Sequence, residues 1–277
     1  MGNAPVDITI RHLETLPEYR AAVEIQKDTW GRDFADAVPL SILKVSQRVG
    51  GITAGAFTPQ GKMVGCVFGL TGLQNGKPVH WSDILAVTPE MRGTGLGKRL
   101  KWFQRAELLK MGVRTMFWTF DPLQSLNANL NINTLGARPV EYIENMYGET
   151  GSDLHSGLGT DRFVAQWDLD SPRVEALSHG RTALEPLIVA NAKAVNTRTE
   201  NGVPVPISGP LPEADTVLVE IPASINETKR TSRELGMRWR ENTRAAFVHY
   251  FAKGMRVDCF VNFGPNRFGY ELRKPNL

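Results

Sequence analysis

Cysteine is scarce in this 277-residue chain, and its scarcity excludes several classes of protein. Only Cys66 and Cys259 occur, far apart in the sequence and each in an apolar context. Two such residues cannot form the disulfide framework of a small secreted domain, and they lack the spacing of zinc ligands. The sequence therefore predicts buried free thiols, a cytoplasmic protein and no metal site.

Long hydrophobic runs are also missing. No apolar stretch approaches the roughly 20 residues that a membrane-spanning helix needs. The first residues, 1–7, lack the basic segment and apolar core of a signal peptide, and Val6 stands where a myristoylation signal has Ser or Thr. We therefore expect no association with a membrane.

The chain has no large excess of charge of either sign. Its 32 Lys and Arg residues and 29 Asp and Glu residues leave a net charge of +3. That is too little to indicate a nucleic-acid partner. The 42% hydrophobic and 22% charged residues are typical of a soluble globular protein, and the length suits one and a half to two domains.

The most informative segment of the chain is 83–100. An apolar strand runs there into a turn with Gly93, Gly95 and Gly97 at alternate positions, and a basic helix follows at once. Glycine lets the backbone adopt positive φ and brings main-chain N–H groups close to a ligand. The start of a helix adds unpaired amides and the positive end of its dipole, which suit a phosphate. The pattern predicts a pyrophosphate-binding turn, and a turn without a ligand is the alternative.

The spacing of the glycines distinguishes between phosphate-binding motifs. A P-loop would need glycine at Arg92 and Ser or Thr at Arg99, and the dinucleotide fingerprint would need glycine at Lys98. The pattern that fits is [RQ]-x-x-G-x-[GA], with Arg92, Gly95 and Gly97. In this respect the segment resembles the acyl-CoA-binding motif of the GNAT superfamily of N-acyltransferases.

The order of predicted elements agrees with the resemblance. Residues 6–168 are predicted to form a strand, helix, hairpin, strand, glycine turn, helix, strand, helix and two strands. The resemblance implies an α/β (α+β) fold with a GNAT-like mixed central sheet flanked by helices. We expect residues 1–168 to form the acyl-CoA-binding catalytic domain.

Residues 169–277 are predicted to form a C-terminal extension. Its strand, helix, strand and strand repeat the order of residues 114–167, so this βαββ-type unit is interpreted as a degenerate half-copy of the acyltransferase fold. The roles open to it are a cap, a homodimer surface or one wall of the acceptor pocket. Segments 117–128, 135–137 and 145–149 are similar to a branch of GNAT proteins with such an extension. In that wider group some relatives are thought to acylate amino acids, including with succinyl-CoA.

The resemblance implies acetyl-CoA or another acyl-CoA, such as succinyl-CoA, as the cofactor. Main-chain amides of the turn would bind its pyrophosphate, Lys98 and Arg99 would add charge, and the preceding strand would pair with its pantetheine arm. The predicted cofactor-binding residues of this segment are Leu85, Ala86, Val87, Arg92, Gly93, Thr94, Gly95, Leu96, Gly97, Lys98 and Arg99.

Two residues of the strand before the turn are candidates for the general base. Alternation predicts His80, Ser82 and Ile84 on one face and Asp83 with Leu85 on the other. His80 has a suitable ordinary pKa, whereas Asp83 would need burial to raise its pKa, or would act through a water.

At the position where the family usually has its general acid, this chain has a different residue. The family's tyrosine would lie four residues before Gly136, where this chain has Ile132, and the usual asparagine position holds Ser125. Asn127 and Asn131 are four apart, so on one helical face they could donate to the pantetheine or the sulfur.

Tyr142 and Tyr147 are substitute donors, and Tyr147 is the better placed of the two. The sequence thus predicts an acyl-CoA-dependent N-acyltransferase that uses His80, Asp83 and Tyr147. It would act on a small amine or amino acid by direct attack of the amine on the thioester. A protein N-acetyltransferase and a non-catalytic CoA-binding protein are the alternatives.

Overall fold

The computed structural model describes residues 7–32, 34, 36–148, 158–181 and 193–275. Its contacts group the chain into two units. The described residues of the first are those up to 118 together with 168–171, and those of the second are 119–148, 158–167, 172–181 and 193–275. No helix among the described residues has the length and hydropathy needed to cross a membrane.

The first unit contains a mixed sheet flanked by helices. Its elements are β1 (Thr9–His12), α1 (Leu16–Trp30), α2 (Leu40–Arg48), β2 (Ile52–Phe57), β3 (Met63–Gln74), β4 (Lys77–Val87), α3 (Leu96–Lys110) and the first part of β5 (Thr115–Phe120). The strand order is β1-β2-β3-β4-β5; β1 to β4 are antiparallel neighbours, and β5 runs parallel to β4. The predicted mixed α/β architecture is confirmed.

The helices of the first unit begin and end where local chemistry favours it. The Glu18 carboxylate accepts a hydrogen bond from the Thr15 amide at 3.1 Å, which caps the start of α1. Helices α1 and α3 have the bounds that periodicity predicts, 16–30 and 96–110. Helix α2 is an addition that the sequence did not predict.

The second unit contains the end of β5 and the C-terminal elements. These are α4 (Ser125–Ala128), β6 (Arg138–Ile143), β7 (Arg162–Asp168), α5 (Pro172–Ser178), β8 (Thr197–Glu200), β9 (Val203–Pro206), β10 (Thr216–Ile221), α6 (Ile225–Thr231), α7 (Arg233–Ala252), β11 (Arg256–Gly264) and β12 (Arg267–Arg273). A π-helical segment, Asn129–Thr134, follows α4. The strand orders are β5-β7-β6, β10-β12-β11 and β8-β9. The domain boundary expected at 168/169 stays a prediction.

Candidate active site

The glycine-rich turn leads directly into α3. Gly93 and Gly95 have φ of 76° and 82°, a region that residues with a Cβ enter only with strain. Gly95 precedes the helix, and no side chain caps its first turn. In the part of the chain that the structure describes, the amides of Leu96, Gly97 and Lys98 have no backbone acceptor. Free N–H groups at the positive end of a helix form a site for an anion.

The basic residues near the turn differ in how freely they could contact a phosphate. Arg92 and Lys98 are exposed, and the first turn of α3 contains no acidic residue. Arg99 instead donates from Nη2 to the carbonyl oxygen of Ile8 at 2.6 Å. Part of its guanidinium therefore holds the chain just before β1, which limits the role predicted for it at a phosphate.

Gly97 has no structural need to be glycine. Its φ is not positive, and an added Cβ would lie 3.8 Å from Leu85 Cδ2 and 3.9 Å from Val87 Cγ2, which are ordinary contacts. A ligand that approaches the main chain closely gives a reason for glycine at such a position. Gly97 thus offers a substitution that the fold itself can tolerate.

The edge of β4 beyond its pairing with β5 is open. The two strands pair in parallel only as far as Trp81 and Phe117. Strand β4 continues for six more residues, to Val87. Its main-chain groups along this stretch therefore have no partner in β5, and the stretch ends next to the glycine turn.

The hydrogen bonds to β3 determine which main-chain groups of β4 face this open edge. The Thr88 amide donates to the Val64 carbonyl oxygen at 3.0 Å, on the β3 side. Because successive residues of an antiparallel strand alternate in direction, Ala86 also faces β3. Leu85 and Val87 face the open edge and can pair with an extended ligand. The backbone pairing predicted for Ala86 is therefore wrong, since β3 already uses those groups.

A β-bulge lies in β4 at Asp83. Phe68 pairs with Ile84 and Gly69 with Ser82, so Asp83 has no partner on β3. The bulge reverses the order of the faces: Ser82 contacts α3, whereas Ile84 packs with the core residues of α1. The predicted single face for these two residues is wrong for this reason. Bulges of this kind turn side chains at functional sites.

Asp83 has the features of a general base. The residue is exposed, but partial burial of its carboxyl group and the nearby Asp36 both raise its pKa. Asp36 lies in the loop between α1 and α2 and was not singled out in the sequence. A carboxylate with a raised pKa accepts a proton more readily than an ordinary one.

His80 is placed differently and does not fit the role of base. Its side chain is fully buried. The ring Nε2 accepts from Gln104 Nε2 at 3.1 Å, so Nδ1 carries the proton and donates to Thr71 Oγ1 at 2.9 Å. Burial and the adjacent Lys101 lower the pKa of His80 to about 3. Since neither nitrogen is free, the predicted catalytic role of His80 is corrected to a structural one.

Two side chains of α3 that looked solvent-facing in the sequence are buried. The hydrophobic period of α3 predicts Lys101 and Gln104 on the polar side, opposite the apolar face, yet they are 2% and 0% exposed. Both lie on the stripe formed by Leu96, Leu100 and Leu108, which is also buried. Their spacing from these leucines could have predicted that Lys101 and Gln104 are buried. Lys and Gln side chains are normally exposed, however, so the spacing alone was not decisive.

Tyr147 belongs to the second unit and is 43% exposed. Its hydroxyl lies 2.9 Å from Thr119 Oγ1, and its ring centroid lies 5.3 Å from Arg162 Cζ. The hydroxyl is within reach of solvent and can donate a proton. Its role as general acid stays a prediction.

Asn127 and Asn131 also belong to the second unit. Asn127 is exposed and Asn131 is buried. A shared face was predicted for an α-helix, but residues 129–134 wind as a π-helix, and only the Asn127 side chain is exposed to a ligand from solvent. A joint contact of these two amides with a ligand is therefore not supported.

No protein-family model matches the chain, and no curated protein does. Similar solved structures do exist. A NatC complex bound to Gag peptide and CoA is 14% identical, covering 58% of this chain and 98% of that one with a TM-score of 0.48. A ribosomal-protein-alanine N-acetyltransferase from Escherichia coli is 22% identical, with coverage of 60% and 96% and a TM-score of 0.46.

An acetyltransferase of the GNAT family from Streptococcus pneumoniae is 17% identical, with coverage of 58% and 98% and a TM-score of 0.47. Each of these is a protein to which the chain is similar.

Proposed function

We propose that this chain is an acyl-CoA-dependent N-acyltransferase of the GNAT type. One observation carries the proposal: among the described residues, three amides at the start of α3 have no backbone acceptor, and they adjoin the edge of β4 where Leu85 and Val87 have no partner in β5. A diphosphate fits the first feature, and an extended amide-containing arm fits the second. Coenzyme A carries both groups in that order.

The residues of the first unit support direct attack of an amine on the thioester. Asp83, with its raised pKa, would take the proton of the amine, directly or through a water. The main-chain N–H of Leu85, which faces the open edge two residues after Asp83, would donate to the developing oxyanion. Burial raises the pKa of the Cys66 thiol to about 12, which argues against a cysteine acyl-enzyme.

The charges near Asp83 favour a cationic acceptor. Asp83 and Asp36 interact unfavourably with each other, and an ammonium group between them would relieve that repulsion. We propose an amino acid or another small amine as acceptor and an acetyl or succinyl group as the acyl group. Tyr147 is our proposal for the donor to the leaving thiolate.

The binding test compares two glycine variants by calorimetry with CoA at millimolar concentration. Gly97→Ala adds a methyl group where the diphosphate would lie, so we expect about tenfold weaker binding, which is about 1.4 kcal/mol. Gly72→Ala is the matched control, because an added Cβ there meets nothing within 4 Å and the residue lies outside the glycine turn. No heat with the wild type, or equal affinity in both variants, would overturn the assignment of the turn.

The activity test follows thiol release from acetyl-CoA and succinyl-CoA with a panel of amino acids, small amines and peptides. Release with a small amine or amino acid is the expected result. Release with peptides alone would indicate a protein N-acetyltransferase. Binding of CoA without release for any pair would indicate a non-catalytic CoA-binding protein.

A further inference from the structure

A buried lysine lies at the point where β4 and β5 part. Lys101 of α3 donates from Nζ to Ser82 Oγ at 2.8 Å, and the same atom lies 4.0 Å from the centroid of the Trp118 ring. Ser82 and Trp118 are the first residues after the last paired residues, Trp81 and Phe117. The side chain of Lys101 therefore bridges the two strands where their backbone pairing stops.

The position is unusual for a lysine. Lys101 is 2% exposed, and no carboxylate pairs with it among the described residues. Its other contact is with Met116 Sδ at 3.8 Å, and burial lowers its pKa to about 7. Burying an amine without a carboxylate partner costs free energy, and burying a methionine of similar length would not carry this cost. Folding alone gives no reason for a lysine here.

A chain of hydrogen bonds fixes the β4 end of this bridge. Since Lys101 only donates, Ser82 Oγ accepts from it and donates to Gln104 Oε1 at 3.0 Å. Gln104 then donates to His80, which donates to Thr71. The chain ends where Thr71 Oγ1 donates to the carbonyl oxygen of residue 50 at 2.6 Å. Ser82 both accepts and donates within this chain, so its side chain cannot turn away without breaking two hydrogen bonds.

The bridge lies where an acyl group would arrive. From Val87, beside the glycine turn, to Ser82 is five residues of β4, or about 17 Å at the rise of an extended strand. An extended pantetheine arm covers a comparable length. With its diphosphate at the turn, the carrier would bring its thioester to the parting of the strands, next to Asp83.

We propose that Lys101 is a positioning residue: by bridging Ser82 and Trp118, it holds β4 and β5 apart at this point and so sets where the acyl group lies against Asp83. The inference rests on the proposed function. It assigns to Lys101 no direct contact with the reacting atoms.

The test compares Lys101→Met, which keeps the length of the side chain and removes its polar group, with Lys110→Met at the exposed end of the same helix. In a crystal structure of Lys101→Met we expect pairing of β4 and β5 to extend past Trp81 and Phe117. We expect kcat for acyl transfer to fall about 100-fold, as for a displacement of about 1 Å, with the Kd of free CoA unchanged. Lys110→Met should resemble the wild type in all three measurements.

The structural readout separates the two proposals. Pairing that still ends at Trp81 and Phe117 in Lys101→Met would overturn the role of Lys101, whatever the rate. An equal loss of CoA affinity and kcat would also overturn it, because the residue would then act on binding of the whole carrier. If pairing extends in Lys101→Met but the wild type turns over no acceptor, the contact of Lys101 with both strands would still be what keeps β4 and β5 apart. The proposed acyltransferase function would then be wrong.

Discussion

His80 and Asp83 lie three residues apart on β4, and burial shifts their pKa values in opposite directions. Removal from water disfavours the charged form of each, which lowers the pKa of the histidine and raises that of the aspartate. The difference that matters for catalysis is access. His80 uses both nitrogens inside the protein, whereas Asp83 is exposed at a bulge.

Substitution of Asp83 and of Asp36 tests the general base. Asp83→Asn should lower kcat/KM by about 10²–10⁴-fold, the usual contribution of a general base. Asp36→Asn should leave the chemistry in place but remove a negative charge that raises the pKa of Asp83. That pKa then falls, so the acidic limb of the kcat/KM profile should move to lower pH.

The control for both variants is Asp170→Asn, which removes a surface carboxylate paired with Arg114. Its profile should match that of the wild type. An acidic limb that stays in place in Asp36→Asn would show that Asp83 is not the group that titrates.

The polar residues of β4 could be predicted from the sequence, but their faces could not. Simple alternation fails at the bulge, and the cause lies on the neighbouring strand. A Cβ on Gly69 would come within 2.2 Å of His80 Nε2 and 2.5 Å of the Trp81 carbonyl oxygen. Glycine there lets the ring of His80 pack against β3. This is a contact between strands that the β4 sequence does not contain.

At the scale of elements, the start of α3 uses its glycines in two different ways. Gly95 adopts the left-handed conformation that ends the turn, whereas Gly97 has ordinary helical geometry within the first turn of the helix. The fold requires the first and tolerates a substitution of the second. Substitution by alanine should therefore lower the free energy of unfolding at Gly95 and raise it at Gly97.

Urea unfolding of the two alanine variants measures this difference. Gly95→Ala should lower the free energy of unfolding by about 1–2 kcal/mol, the cost of a Cβ in the left-handed region. Gly97→Ala should raise it by about 0.5–1 kcal/mol, because alanine is the better helix former. Destabilisation by Gly97→Ala would mean that its effect on CoA binding cannot be separated from folding.

Helices α1 and α3 have a clear hydrophobic period and were predicted with the observed bounds, whereas α2, the π-helical segment and the hairpin of β8 and β9 were not predicted. Helix α2 is short, and its apolar residues Ile42 and Val45 are exposed. Its sequence therefore does not show the regular apolar face that indicates a buried helix. The π-helical segment depends on a hydrogen bond from the Leu135 amide to the Leu130 carbonyl oxygen at 2.9 Å. The hairpin of β8 and β9 was not predicted, because β9 contains prolines and proline is disfavoured within strands.

At the scale of the whole chain, the C-terminal extension shares the core of the second unit. Phe163 of β7 is fully buried, and its ring packs against Phe247 and Phe251 of α7 and Tyr270 of β12, with centroids 4.7, 5.7 and 5.3 Å away. The Asp161 carboxylate accepts from Arg244 of α7 through both oxygens, at 2.7 and 2.9 Å. Phe163 and Asp161 thus make their buried contacts with residues of the extension.

The extension also repeats the topology of that segment. In both β5-β7-β6 and β10-β12-β11, the last strand in the chain lies between the other two. In both, helical residues follow the first strand. The order of elements was predictable because each strand is bounded by turn residues. A half-copy of the acyltransferase fold remains our prediction for its origin, and the shared strand order supports it.

The ion pair between Arg240 of α7 and Asp121 tests how strongly the extension stabilises the second unit. Arg240 donates from Nη2 to Asp121 Oδ2 at 2.8 Å and from Nε to the Leu158 carbonyl oxygen at 3.1 Å. The two side chains are only 4% and 14% exposed. Arg240→Met would leave a carboxylate without its partner in a poorly solvated place, so we expect a loss of about 3–5 kcal/mol in the free energy of unfolding.

Two further variants distinguish the buried charge from a loss of packing. Arg240→Met combined with Asp121→Asn removes both charges and should recover part of the loss, because a neutral amide costs less to bury than a carboxylate. Lys253→Met, which breaks the exposed pair of the residue just after α7 with Glu213, should cost at most about 1 kcal/mol. If Arg240→Met were no more destabilising than Lys253→Met in urea, the pair of Arg240 with Asp121 would stabilise the second unit no more than an exposed pair does, and the aromatic contacts of α7 would be its main contribution.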